Sequence, residues 1–361
     1  MADDAFGVNR RSLVKGLGAG AVAATAGCSG GDGGDGSDGS DGSDGSDGSD
    51  GSDGGDGGDS EVSMTIASSF EPSHILVQAA EMFKEQIEDE SDGNFTVSIN
   101  AGGAYGSEGE TGEIVSQGGV EAHSAGSFPY FQYAPEYWFF GSPFVLSDYE
   151  QLLSVLDSEE MQEAHNTLID NGSQRPIGQQ IYRGSRHFTS NTPIQGPADV
   201  DGLNLRLPEL EPWVQIWEEV GASPTPVALT ELYSALEQGT ADASEGGAEQ
   251  ISSFNLNEVQ SHLSLTGHLV ANGNIYINEG FYQGLDETYQ DMVMEIGQSA
   301  TASAAEQAQS REEDLIEQLG EEGMTIVEDV DREAFQEEAT PAVEQLFEDT
   351  WAFDWETVRN L

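Results

Sequence analysis

The sequence predicts an α/β protein of two lobes crossed by connecting helices. Three observations carry that expectation. Strand, helix and strand follow one another within ~40 residues between Val62 and Ile99, the spacing of a βαβ unit. Alternating apolar and polar residues return between positions 177 and 207, beyond a long aromatic-rich stretch. From Leu285 to about Leu319 the pattern is one long helix without proline.

Taken in order, Val62, Met64 and Ile66 alternate and suggest the first strand. Ser73 is placed to cap a helix with Leu76, Ala79, Ala80, Phe83 and Ile87 on one face. Phe95, Val97 and Ile99 alternate again and complete a parallel pair. A Gly-rich turn, a helix near 109–117 and a short strand in "VEAHSAG" continue the pattern. The stretch "FPYFQYAPEYWFFGSPFVL" reads as core and hinge. A helix over 148–170 follows. Strands are then expected in "IGQQIY", "RHFTS" and "GLNLRLP", followed by a helix carrying Trp213 and Trp217. "TELYSALEQGTADASEG" reads as a helix, a stop at Gly239 and a short strand.

Composition narrows the function. The 361 residues suffice for about two domains at ~150 residues each. The chain has 67 acidic against 11 basic residues, a net charge of −56. Nucleic acid is excluded as a partner, because phosphate binding needs a basic surface. The same charge excludes docking of the folded part on an anionic membrane. Lysine occurs only at Lys15 and Lys84. Acids in place of lysines, over an intact hydrophobic pattern, mark adaptation to brine, where salt screens self-repulsion. The single cysteine, Cys28, allows no intramolecular disulfide.

The N-terminus reads as an address. "NRRSLVK", a mild apolar run and "TAGC" resemble a twin-arginine export signal (Arg10, Arg11) joined to a lipoprotein cleavage box. Residues 1–27 are then a signal peptide and Cys28 the site of lipid attachment. The run is too short for a spanning helix, which needs about 20 apolar residues. Residues 28–60 are a flexible Ser-Asp-Gly tether, reaching roughly 30 Å root-mean-square. Residues 61–361 are the folded part, placed outside the cell membrane and anchored to its outer face.

Common catalytic signatures are absent. There is no GxSxG elbow, no HExxH helix and no Walker loop. The six histidines are scattered, and no metal box or cofactor motif is found. No residue is singled out as catalytic.

The arginines are informative instead. Of eight basic residues after Cys28, four (Arg175, Arg183, Arg186 and Arg206) fall between 175 and 206. In "GLNLRLPE", Leu203, Leu205 and Leu207 alternate with Asn204 and Arg206, so a scarce cation sits in a half-buried strand. A guanidinium there grips a carboxylate with two parallel hydrogen bonds, or else pairs with an acid of the chain itself. The same alternatives hold for Arg186. Trp213, seven residues past Arg206 and across Pro208, is placed either over the cleft or in plain core packing.

Three segments in order, "GSRHFTSNTPIQGPADVDGLNLRLPE", "LTELYSALEQGTADASEG" and "VQSHLSLTGHLVANGNIYIN", resemble the dicarboxylate-type solute-binding proteins of tripartite ATP-independent periplasmic (TRAP) transporters. The likeness covers roughly residues 61–345 and points to a salt-adapted, haloarchaeal lipoprotein version of that family. It implies a two-lobed periplasmic-binding-protein-like fold, an inter-lobe cleft and a long helix spanning both lobes. Lobe 1 is expected over about 61–184 and lobe 2 over about 185–275, each with part of the C-terminal region. It also implies that Arg206 clamps a ligand carboxylate, water being its partner without ligand, and that Arg186 assists. One departure stands out: the family's cleft asparagine is replaced by Gly246, while Glu245 keeps the acidic place. Implied partners are a small carboxylate and TRAP membrane subunits, with no cofactor and no metal. The family's ligands include C4-dicarboxylates, sugar acids and 2-oxo acids. Rival readings are the binding subunit of an ATP-driven importer or sensor, and a secreted hydrolase or lyase.

Overall fold

A computed structural model gives the structure of the protein, and residues 61–360 are described. The expected export signal with Arg10 and Arg11, the anchoring Cys28 and the tether lie outside the described residues.

Strand β1 (Val62–Ala67) leads through helix α1 (Ile75–Glu90) to β2 (Phe95–Asn100). The strands pair in parallel from Val62 opposite Phe95 to Ala67 opposite Asn100, as the βαβ spacing requires. The five residues expected on the inner face of α1 are buried. Its cap, however, is His74 and not Ser73: the His74 Nδ1 accepts the Leu76 N–H at 3.2 Å. Phe70 stacks on the imidazole at 4.2 Å and fixes that orientation.

Helix α2 (Glu108–Ser116) starts at a Ser107–Glu110 capping box, and β3 (Ala122–Gly126) pairs in parallel with β1. Helix α3 (Phe128–Tyr133) opens the aromatic stretch. Tyr137, Trp138, Phe139, Phe140 and Phe144 are all buried, so the stretch is core. The helix expected over 148–170 is two, α4 (Tyr149–Leu156) and α5 (Gln162–Gly172). Ser158 breaks it, its hydroxyl donating to the Val155 carbonyl at 2.6 Å in place of a continued helical ladder.

The remaining strands are β4 (Gln174–Pro176), β5 (Ile181–Ser190), β6 (Asn204–Leu207), β7 (Ser223–Pro226), β8 (Ala243–Gly247), β9 (His262–Asn278) and β10 (Thr325–Val327). The remaining helices are α6 (Glu211–Glu219), α7 (Leu232–Glu237), α8 (Ala248–Ser253), α9 (Glu279–Gly284), α10 (Glu287–Glu321), α11 (Arg332–Asp349) and α12 (Trp355–Asn360). Gly239 stands past the end of α7 at φ +71°, the left-handed stop the sequence predicts. The two strands expected in "IGQQIY" and "RHFTS" are the single strand β5. It carries a bulge: Tyr182 faces Asn272 and Ser185 faces Val270, so β5 has one residue more than β9 across that span. Gly184, at φ +92°, makes the bulge possible.

All strands join one sheet in the order β2-β1-β3-β9-β5-β8-β6-β7, with β4 and β10 alongside β9. Its two ends are parallel and α/β in character, β2-β1-β3 and β8-β6-β7. The middle is the antiparallel pair β5·β9, which runs from Ile181 opposite Gly273 to Ser190 opposite His262. This is a two-lobed architecture stitched by two long strands. Helix α10, about 50 Å long at ~1.5 Å per residue, serves both lobes. Its Val293 and Ile296 pack with Phe83, Phe95 and Ile275, whereas Leu319 packs with Leu232, Ile251 and Leu263. Among the described residues no helix is long and apolar enough to cross a membrane.

Candidate ligand-binding site

Strand β6 lies between β7 and β8, with Arg206 opposite Thr225 on one side and Ser244 on the other. Leu205 and Leu207 are fully buried, which locks the strand. Arg206 itself is only 2 % exposed, so the strand is buried well beyond the half expected from its alternation. β6 is paired on both edges, between β8 and the edge strand β7, and only its first residue, Asn204, is exposed.

The Arg206 guanidinium donates from Nε and Nη2 to the Val227 carbonyl, at 3.0 and 2.7 Å. Without ligand, water is therefore not its sole partner, because that carbonyl accepts two of its N–H groups. Among the described residues no carboxylate comes within ion-pair reach of it. Burial lowers Arg206 to about 10; the Glu245 carboxylate opposes that fall and Arg186 adds to it. The side chain stays charged at neutral pH, and its cost of burial is not offset by a direct anionic contact.

Arg186 behaves differently. Its Nε and Nη2 grip Glu245 at 2.5 and 2.7 Å, a bidentate pair across β5 and β8. Glu245 is also 3.3 Å from the His268 Nε2, and His268 in turn meets Thr266 through Nδ1 at 2.8 Å. Burial works to raise Glu245, but Arg186 and the His268 hydrogen bond outweigh it and bring the carboxyl down to about 2. The Arg186 guanidinium lies 5.1 Å from the Trp213 ring centroid. Trp213 is 5 % exposed, and its indole N–H donates to the Gly141 carbonyl at 2.8 Å, tying α6 to the aromatic segment.

Removing the acid of the Arg186–Glu245 pair exposes its energetics. Glu245→Gln is expected to cost about 3–5 kcal/mol, because a buried guanidinium loses its counter-charge. Chemical denaturation in molar KCl measures it. The folded carboxyl sits below its ordinary value of 4.5. Its contribution is thus present above that value and is lost as the pH falls toward about 2. The gap between wild type and variant should therefore narrow with acid. Equal stabilities at pH 7 would contradict the pair's role.

Gly246 stands at the end of β8. A Cβ there would lie 3.0 Å from the Gln250 Nε2, so the place of a side chain is filled by the Gln250 amide. That Nε2 is buried and has no hydrogen-bond partner. The carboxyl ends of parallel strands β6 and β8 thus bring together Arg206, Glu245 and Gly246, the location where open α/β sheets bind ligands. No group of His, Cys, Asp and Glu suited to a metal occurs among the described residues.

The family model for bacterial extracellular solute-binding proteins, family 7, matches residues 66–350. The chain belongs to that family. A solute-binding protein of Roseobacter denitrificans is 32 % identical over 288 residues, covering 74 % of this chain and 86 % of the relative. A TRAP periplasmic solute-binding protein structure from the same organism, with bound L-galactonate, superposes with a TM-score of 0.73 at 28 % identity, covering 83 % of this chain and 99 % of that one. A TRAP solute-binding protein from Polaromonas, bound to D-erythronate, gives 0.76 at 26 % identity, with 83 % and 99 % coverage.

In this family-7 solute-binding protein, the structure brings Arg206, Arg186, Glu245, Gly246 and Trp213, the residues the sequence singles out, into one neighbourhood. Of the two alternatives for Arg186, the structure takes the internal one, with Glu245 as the acid. Sequence reasoning missed His268, Gln250 and Arg183 as neighbours of the site. Arg183 was visible only as one member of the arginine cluster. Gln250 carried no signal, since its position beside Gly246 follows from α8 turning back over β8.

Proposed function

We propose that this TRAP-type solute-binding protein captures an organic acid through its carboxylate at Arg206 and delivers it to TRAP membrane subunits. The observation that carries the reading is a buried, charged guanidinium with a backbone carbonyl for partner and no carboxylate against it. The charged and aromatic residues beside it are satisfied: Arg186 and Glu245 hold one another and Trp213 is bonded to Gly141. Arg186, Glu245 and Trp213 then form a rigid wall behind the clamp, and Gln250 offers a free amide where Gly246 has no side chain. The solved relatives carry hydroxylated acids, L-galactonate and D-erythronate, and an acid of that kind is the reading's solute. The lobes, about 61–184 and 185–275 with shares of the C-terminal region, close about β5 and β9. Closure buries the ion pair and strengthens it by lowering the local dielectric. Calorimetry of carboxylate binding to the intact chain and to Arg206→Ala tests the clamp.

The chain acts as a binding protein without chemistry of its own. It is exported by the Arg10–Arg11 signal and held by lipid at Cys28, with residues 29–60 as a leash. Cys28→Ser should move the protein from the membrane fraction to the medium. A variant as firmly membrane-bound as wild type would refute the anchor.

A further inference from the structure

Arg183 has a buried guanidinium nitrogen, Nε, with no hydrogen-bond partner. Its Nη1 reaches only the Asn272 carbonyl, at 3.4 Å. The Phe70 ring lies over the guanidinium at 4.6 Å. No carboxylate of the described residues comes within ion-pair reach, yet two stand close by. A Cβ on Gly126 would be 2.6 Å from the Arg183 Nη1 and 2.9 Å from the Glu108 Oε1, so both side chains converge on that glycine. Glu108 is held there by the Gly126 N–H, which donates to it at 2.6 Å. Glu249 of α8 approaches too, its Oε2 3.7 Å from the His74 Nε2. Arg183 and Glu249 line one small cavity with Arg311 and Glu312.

The β5 bulge explains how Arg183 joins the ligand site. Side chains three apart on a plain strand point to opposite faces. The extra residue before Ser185 turns Arg183 to the side of Arg186. Arg186 lowers both Arg183 and Arg206 by its charge, so it stands near each of them.

Charge balance decides what Arg183 can receive. With Arg311 and Glu312 also at the cavity, acids outnumber guanidiniums three to two, and Glu108 and Glu249 are the two whose charge reaches Arg183. A second carboxylate on the ligand would enter against both. A hydroxyl suits the place, because it accepts from the Arg183 Nε–H and donates to Glu108. We propose that Arg183 and Glu108, meeting over Gly126, form a second subsite that reads a hydroxyl at the far end of a hydroxylated monocarboxylate and disfavours a dicarboxylate. The inference rests on Arg206 holding the near end.

Calorimetry in molar KCl with L-galactonate, D-erythronate, D-glucuronate and succinate tests it on four proteins: wild type, Arg183→Gln, Glu108→Gln and Arg206→Ala. Wild type should bind at least one of the hydroxy acids about tenfold or more tightly than succinate. Arg183→Gln and Glu108→Gln should each weaken that hydroxy acid about tenfold or more, the size of a lost hydrogen bond to a charged group. Neither should weaken succinate. Melts without ligand check folding, and Glu108→Gln decides if Arg183→Gln does not fold. Succinate bound as tightly as the hydroxy acids, no hydroxy acid bound, or both subsite variants within about threefold of wild type would overturn the subsite. Arg206→Ala separates the two readings: affinity retained there, with loss in Arg183→Gln, would sink the clamp and leave the subsite standing.

Discussion

Replacing Arg206 by alanine is expected to weaken carboxylate binding by about 30-fold to several-thousand-fold. That range corresponds to the ~2–5 kcal/mol lost when one partner of a buried charge pair is truncated. Leu205 and Leu207 are fully buried and strand β6 is paired on both edges, so the guanidinium is aimed before a ligand arrives. Preorganisation of this kind lowers the entropic cost of binding. Two of its donor groups rest on the Val227 carbonyl, and no carboxylate offsets its charge. Arg206→Lys should also weaken binding, since an ammonium keeps the charge and loses the planar fork. The unliganded variant should remain folded, because two effects oppose one another. Alanine leaves the Val227 carbonyl without its donor, but it also removes a buried, uncompensated charge. Calorimetry in molar salt reads the affinity and denaturation reads the baseline. An Arg206→Ala affinity within about threefold of wild type would return this residue to a structural role.

Diluting KCl from molar to about 50 mM is expected to unfold the protein. The chain carries a net charge of −56 with 67 acids. At 1 M salt the Debye length is about 3 Å, against about 10 Å at 0.1 M. Distant carboxylates therefore repel one another only once salt is removed. The structure sharpens the expectation. The folded part holds only Lys84, Arg175, Arg183, Arg186, Arg206, Arg311, Arg332 and Arg359 against its acids. Arg186 and Arg206 are spent inside, where they cannot offset the surface charge. Circular dichroism along the dilution series measures the loss. A fold equally stable at both ends would mean that the acids are compensated locally.

Periodicity and punctuation in the sequence by themselves determined most elements. The βαβ opening, the buried face of α1, the stop at Gly239 and the unbroken run of α10 all rest on neighbours within a few turns. Local chemistry was decisive there, and the arginine cluster was legible because cations are so scarce. Tertiary structure decided the rest. The choice of His74 as cap depended on Phe70 stacking upon it. The break at Ser158 depended on a hydroxyl taking the Val155 carbonyl that a continued helix would have given to a backbone N–H. The single strand β5 depended on β9, since a bulge exists only against a partner one residue shorter. The site followed the same division. That an arginine in "GLNLRLPE" is special can be read along the chain. Whether it meets an acid of its own protein depends on side chains brought together from β5 and β8. Those strands gave Glu245 to Arg186 and left Arg206 with a carbonyl, because strand pairing, not sequence distance, sets which charges meet.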